Sequence, residues 1–388
     1  MTETFSPIET ELEQLLDRTE GIDETTKEVM LRHNGFNCKP REKLEDIAKD
    51  FGVTKEAVRQ RSIKGLDRIN DLIRTDESAF ESLKSAVYAG HFLEACAPCS
   101  EEDAQHILYM EGCTDKKDID IEALLYMLEQ LTVQVGVEVI KEGKRRFVVK
   151  TTSPNVVKDI VKKAREEVTT LGASTVNKIT QEVAIGHKLA SNQTRLVVAA
   201  LEAQPDFVWL TGADDERGNG FFLLKKAGRN PVELRLRRIF SVRKKCNMRW
   251  LHSKIARSRK AMKNEVDIPP EAIAQIGVEK GICKPTKNPE IFERAIKLDP
   301  KQTMKVSMEY RIWEFLKKNP ESRDSDIMAA IKERETDRYN IRSKLNFSVV
   351  IQRVSHGVYS AVTDDFPPLH EVRAVGGEGA EEEVAAAG

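Results

Sequence analysis

Apolar residues in this chain recur mostly three and four positions apart, the spacing of one face of a helix, and only in short stretches every second position. Ile8, Leu12, Leu15 and Leu16 mark the first helix, within an acidic segment over residues 1–27. It is read as packing on the domain that follows, or as an acidic cover for a basic surface. Two helices are expected next, at residues 44–51 and 55–70, joined at Gly52. Gly52 can take the positive φ of a sharp inter-helix turn. Ala48 is small where the helices cross, and Val58 is apolar on the inner face of the second. Ile47, Phe51 and Val53 are expected to complete the small core, and Thr54 to cap the second helix. This is the pattern of a helix-turn-helix.

Further along, helices are expected at residues 79–96, from Ser100 and at 121–131, before the period changes. Val133 to Ile140 is β-branched, Lys141-Glu142-Gly143-Lys144 is a turn, and RRFVVK from Arg145 is a strand. Helices followed by such a hairpin describe a winged helix, with Lys141, Lys144, Arg145 and Arg146 at its wing. The order recurs with helices at 155–171, 174–183 (Ser174 as a cap) and 191–203, then strands at 207–210 and 220–224 around a polar loop. A third helical unit has helices at 231–242, 248–260 and 269–278, with its wing left open. The last has helices at 308–318, 324–333 and 336–346 and strands at 349–354 and 358–361. The expected fold class is mainly α (α+β), a helix-turn-helix followed by tandem small winged-helix-like domains. The expected boundaries are 1–75, 76–152, 153–227, 228–300 and 301–363, with a disordered Gly-, Glu- and Ala-rich tail at 364–388.

The outer face of the helix at 55–70 carries Lys55, Glu56, Arg59, Gln60 and Lys64. Arg suits guanine, Gln suits adenine, Glu accepts from cytosine and Lys suits phosphate. The stretch from Thr25 to Ile69 resembles region four of bacterial sigma factors. The family's approach segment matches KEVMLRHNG from Lys27, its core matches KLEDIA from Lys43 and FGVTKEAVRQ from Phe51, and its close matches KGLDRI from Lys64. The resemblance implies that Lys55, Glu56, Arg59 and Gln60 face the major groove, and it brings in RNA polymerase as a partner besides double-stranded DNA; by residue type, Thr54 and Lys64 are the phosphate-contact candidates here. Arg61 stands where the family usually has an apolar residue, and Gly65 replaces an alanine, at a cost of about 1 kcal/mol in helix propensity. Only a short acidic segment precedes the match, so a complete sigma factor is not expected.

Charge sharpens this picture locally. The net charge is −1 over 388 residues, so no global field draws the chain to nucleic acid. Residues 225–260 nevertheless hold fourteen Lys or Arg against one acid, Glu233. Arg235, Arg237, Arg238, Arg243, Lys244, Lys245, Arg249, Lys254 and Arg257 are the phosphate-contact candidates there. A solvated face balanced by acidic neighbours is the alternative, and an RNA partner would use the same charges. Trp250 and His252 lie within the run, and core packing is the favoured reading for Trp250.

Enzymatic chemistry is not expected. Cys96-Ala97-Pro98-Cys99 has His91 and His106 nearby but no second close pair, so no metal site is proposed and buried or incidental thiols are the default. There is no phosphate-binding Gly-rich loop and no serine nucleophile elbow, and Asp214-Asp215-Glu216 in a Gly-rich loop read as a solvated tip. No cofactor is implied. No apolar run spans a bilayer and no signal peptide is visible, so a cytoplasmic protein is expected. The sequence therefore reads as a sequence-specific DNA-binding regulator or sigma-like accessory factor. A replication or mobile-element initiator, and a non-enzymatic scaffold for RNA polymerase or another protein, stand as alternatives.

Overall fold

The structure is a computed structural model that describes residues 6–187, 193–212, 218–259, 268–331, 334 and 337–364. Among these residues it is mainly helical, with four small three-stranded sheets. No helix among them is long and apolar enough to cross a membrane. Expectations for Ser191, Asn192, Asp214-Asp215-Glu216, Lys260 and the tail beyond Asp364 lie outside the described residues.

The chain divides into two compact units, Met1–Lys162 with Thr180–Pro205, and Lys163–Ile179 with Asp206–Gly388. The first opens with α1 (Ile8–Arg18), α2 (Glu24–His33), α3 (Leu44–Phe51), α4 (Lys55–Thr75) and α5 (Glu77–Glu81). Four rounds of one element order then follow: helix, short strand, two helices, hairpin. The first round is α6 (Lys84–Cys96), β1 (Cys99–Ser100), α7 (Glu101–Met110), α8 (Ile121–Gln130), β2 (Val137–Glu142) and β3 (Arg145–Lys150). The second is α9 (Val156–Leu171), β4 (Ser174–Thr175), α10 (Val176–His187), α11 (Thr194–Glu202), β5 (Phe207–Trp209) and β6 (Phe221–Leu224). The boundary between the two units falls within this round. The third is α12 (Pro231–Val242), β7 (Lys245–Asn247), α13 (Met248–Arg259), α14 (Pro270–Glu279), β8 (Cys283–Pro285) and β9 (Ile291–Arg294). After α15 (Pro300–Met304) comes the fourth: α16 (Met308–Lys318), β10 (Ser322–Arg323), α17 (Asp324–Ile331), α18 (Asp337–Phe347), β11 (Ile351–Ser355) and β12 (Val358–Ala361). In every sheet the last strand lies in the middle, paired antiparallel with both others.

Two apolar clusters organise the start of the chain. Val29, Ile47, Ala48 and Val58 join α2, α3 and α4 in a small core, with Leu44 and Phe51 against it. Ile8, Leu12, Leu15 and Leu16 of α1 belong to a larger core shared with α6, α7 and α8. Glu11 is buried there and accepts hydrogen bonds from the backbone N–H groups of Ser85 and Ala86 at the start of α6. It thus satisfies donors that the helix itself leaves open. α1 therefore acts as a packed helix, with Glu11 capping α6 from inside the core and Glu9 accepting from the Thr114 hydroxyl at 2.7 Å.

Several local expectations need correction. Val53 is 38% exposed and stays out of the small core. The helix expected at 79–96 breaks into α5 and α6, because Leu83 leaves helical geometry between them, at φ −99° and ψ 23°. Ser174 is a buried strand residue paired with Phe222 and caps nothing. The third round does have a hairpin, β8–β9. Of the basic residues expected at the first round's hairpin tip, Lys141 and Lys144 are exposed, but Arg145 and Arg146 are drawn to carboxylates, Arg145 to Glu202 at 3.4 Å. Lys144 N–H donates to Ala203 O at 2.9 Å, and Arg146 lies 3.0–3.2 Å from carboxylate oxygens of Asp120, Glu122 and Glu101.

Candidate nucleic-acid interface

The junction of α3 and α4 has the local geometry its residues require. Gly52 ends α3 at φ 63°, in the left-handed region where side chains are strained. Nothing lies within 4 Å of a Cβ built there, so backbone conformation alone selects glycine. The Thr54 hydroxyl accepts from Ala57 N–H at 3.1 Å and starts α4. Val58, Ser62, Gly65 and Ile69 form the buried stripe of α4, at the four-then-three spacing of one helix face. Gly65 has a packing reason: a Cβ there would sit 2.7 Å from Met30 Sδ and 3.2 Å from Thr26 Cγ2. Its backbone lies that close to α2, and the propensity cost of glycine is the cost of the approach. Arg61, at the other departure from the sigma pattern, pairs with Asp23, the N-cap of α2, at 3.0 Å.

The opposite face of α4 is exposed along Glu56, Arg59, Gln60, Ile63, Lys64 and Asp67. Arg59 donates to both oxygens of Glu56, at 2.8 and 2.6 Å, and Gln60 donates to the same carboxylate at 2.7 Å. These donors hold the Glu56 carboxyl down at about 2, so it is ionised at any working pH. Lys55 pairs with Glu45 of α3. Ion pairs this exposed contribute little and are exchanged readily for base or phosphate partners. Ile63, 39% exposed in the middle of this face, escaped the sequence reading. Its signal was the rarity of a large aliphatic group among charges, and such a group suits a thymine methyl.

The basic stretch does not form one face. Lys244, Lys245 and Arg249 are exposed around β7 and the first turn of α13, where Lys244 is 3.8 Å from Asp364 and Arg249 3.7 Å from Glu290. Arg237 pairs with Glu233 one turn back at 3.0 Å. Arg243 donates to Lys245 O and lies over Trp250 at 5.2 Å. Arg257 donates to Asn346 O at 2.8 Å. Arg235 donates to Ser258 Oγ and Pro231 O, and Arg238 pairs with the buried Glu309 at 2.8 Å. Trp250 is a core residue.

Lys254 overturns its expectation as a phosphate contact. It is 4% exposed on the inner stripe of α13, beside Trp250, Leu251 and Ile255. Its ammonium donates to Ile351 O at 3.2 Å and to Gln352 Oε1. Burial, with Arg257 and Arg243 adding repulsion, lowers its pKa to about 7.

A further exposed basic face also went unread. Arg338, Tyr339, Asn340 and Arg342 project from the first half of α18, with Tyr339 81% exposed, and Arg353 and His356 lie exposed on the β11–β12 hairpin. Glu333, Glu335 and Asp337 stand just before it, and its cations Arg338, Arg342, Lys344 and Arg353 are spread thinly along the sequence, so no dense charge run marks it. Cys99 is half-buried, and the loss of solvent pushes its thiol up to about 12; no group of three or more metal-ligating side chains occurs among the described residues. No protein-family model matches this chain and no curated protein matches its sequence, so the exposed faces of α4, β7–α13 and α18 carry the functional reading.

Proposed function

We propose that the chain is a sequence-specific double-stranded DNA-binding protein that works without covalent chemistry, most simply as a transcription regulator. The observation that carries this reading is α4. One face is fixed in a small core, and the other presents Glu56, Arg59, Gln60 and Ile63 on a single exposed arc. In this reading α3 and α4 are a helix-turn-helix, α4 enters the major groove with Lys55, Glu56, Arg59 and Gln60 towards the bases, and Thr54 and Lys64 lie towards phosphates. The four rounds are read as winged helices, because a helix, a short strand, two helices and a hairpin with the last strand central is the order of that fold. The exposed Lys244, Lys245 and Arg249 are the phosphate contacts of the basic stretch, with Arg243 beside them. Lys254 is left out because it is buried, and Arg235 and Arg238 because they turn into a cleft.

The test is enrichment of duplexes from a random library by the full chain. A recurring motif that Arg59→Ala/Gln60→Ala blurs at defined positions supports the proposal. Enrichment of no motif by the wild type defeats it. RNA polymerase, the second partner implied by the sigma-like segment, is then the first protein to try against the same face of α4.

A further inference from the structure

A cleft of about 520 Å³ opens between the end of α9, α12 and α18, with the second unit supplying every wall. Its size is that of a small-molecule site, in the usual range of about 300–1,000 Å³. Four cations line it: Arg229, Arg235, Arg238 and Lys344. The carboxylate facing them is Glu309, which is buried and already committed. It takes Arg238 at 2.8 Å on one oxygen and the Ser348 hydroxyl at 2.7 Å on the other. Arg235 is held in place by Ser258 Oγ at 2.6 Å and Pro231 O at 2.9 Å. Among the described residues neither Arg229 nor Lys344 has a carboxylate within ion-pair distance. The cleft thus keeps an excess of positive charge on side chains that are partly pre-positioned.

The rest of the lining narrows the ligand. Thr169, Thr170 and Ser343 add hydroxyls that suit phosphate or sugar oxygens. Leu234, Val349 and Phe347 make an apolar wall, and Phe347 is 38% exposed, unusual for a phenyl ring next to a lysine. Arginines at fixed positions favour phosphate, which they grip through two N–H groups at once. An exposed ring beside them favours a flat aromatic group. A duplex backbone is convex and has no ring to offer that wall.

We propose that this cleft binds a phosphorylated small molecule with an aromatic ring, of the nucleoside di- or triphosphate class. The phosphates lie among Arg229, Arg235, Arg238 and Lys344, and the ring lies against Phe347. This site is independent of the DNA-binding reading.

The experiment is calorimetric titration of the full chain at fixed ionic strength with ATP, inorganic pyrophosphate and adenosine. ATP is expected to bind most tightly, pyrophosphate more weakly and adenosine least. Arg229→Gln and Lys344→Gln remove cations that have no carboxylate partner among the described residues, and should leave the fold intact. Each is expected to weaken ATP about tenfold or more, the worth of one charge-assisted hydrogen bond. Phe347→Ala should weaken ATP but not pyrophosphate. Absence of both ATP and pyrophosphate binding in the wild type overturns the proposal, as does binding that neither cation variant changes. Loss of DNA affinity in these two variants with anion binding untouched also overturns it, and assigns the cleft to the duplex backbone.

Discussion

Replacing Lys254 by methionine should stabilise the protein near neutral pH, although it deletes two hydrogen bonds. Lysine ordinarily titrates at 10.5, and burial brings Lys254 to about 7. The folded state therefore binds this proton less tightly than the unfolded state does. Stability from this site is greatest above pH 10.5, falls as the pH drops through that window, and is lowest below about 7. At ~1.4 kcal/mol per pH unit the penalty below pH 7 is about 5 kcal/mol. Methionine of similar length carries no charge but leaves Ile351 O and Gln352 Oε1 without this donor, at about 1 kcal/mol each. The net expectation is about 3 kcal/mol in favour of Lys254→Met at pH 6. At pH 9.5 the penalty has shrunk to about 1 kcal/mol, so the variant should lose its advantage or fall slightly below wild type. Urea unfolding followed by tryptophan fluorescence suits the question, because Trp209, Trp250 and Trp313 all lie in the second unit. Taking the difference between the two proteins cancels the cysteines, which titrate in the same window. A variant less stable than wild type at pH 6, or a difference that does not change with pH, would refute the burial argument.

Other expectations follow from the same geometry. Gly52→Ala should cost about 1–2 kcal/mol through backbone strain alone, since the added methyl meets nothing, and thermal melting would show it. Gly65→Leu should cost more, because its side chain must displace Met30 from a fully buried site; a stability equal to wild type would contradict the close crossing of α2 and α4. Glu11→Ala should destabilise by about 1–3 kcal/mol by leaving Ser85 and Ala86 N–H groups unpaired in the core, seen as a lower urea midpoint. Cys99, with its thiol pushed up by burial, should react with a disulfide reagent far more slowly in the native protein at pH 7.5 than in urea.

Much of this architecture was legible because its determinants are local. Gly52 and Thr54 announce a turn and a cap through backbone preference and a hydroxyl, and both act within three residues. The helices at Pro231 and Met308 start where a capping side chain, Asn230 or Ser307, stands before them. What stayed hidden depends on distant partners. The short strands β1, β4, β7 and β10 exist only because the last strand of their round pairs with them, and two or three residues show no period. Burial of Lys254 is decided by β11, almost a hundred positions later in the chain. The charge count over 225–260 was correct, but it could not separate Lys244 in solvent from Arg238 on a buried glutamate. The cleft was invisible for the same reason, since its cations come from both ends of the second unit's sequence.

The central claim is that α4 reads bases while exposed cations of β7 and α13 hold phosphates. Its most direct test is the affinity of the full chain for its selected duplex, and for a scrambled one, across a salt series. Arg59→Ala/Gln60→Ala should bind the two duplexes alike, with the salt slope nearly unchanged. Lys244→Gln/Lys245→Gln/Arg249→Gln should still prefer the selected duplex, but weaken on both and lose about 3 from the slope. A wild type that does not distinguish the duplexes, or an α4 variant that distinguishes them as well as wild type does, would contradict the account.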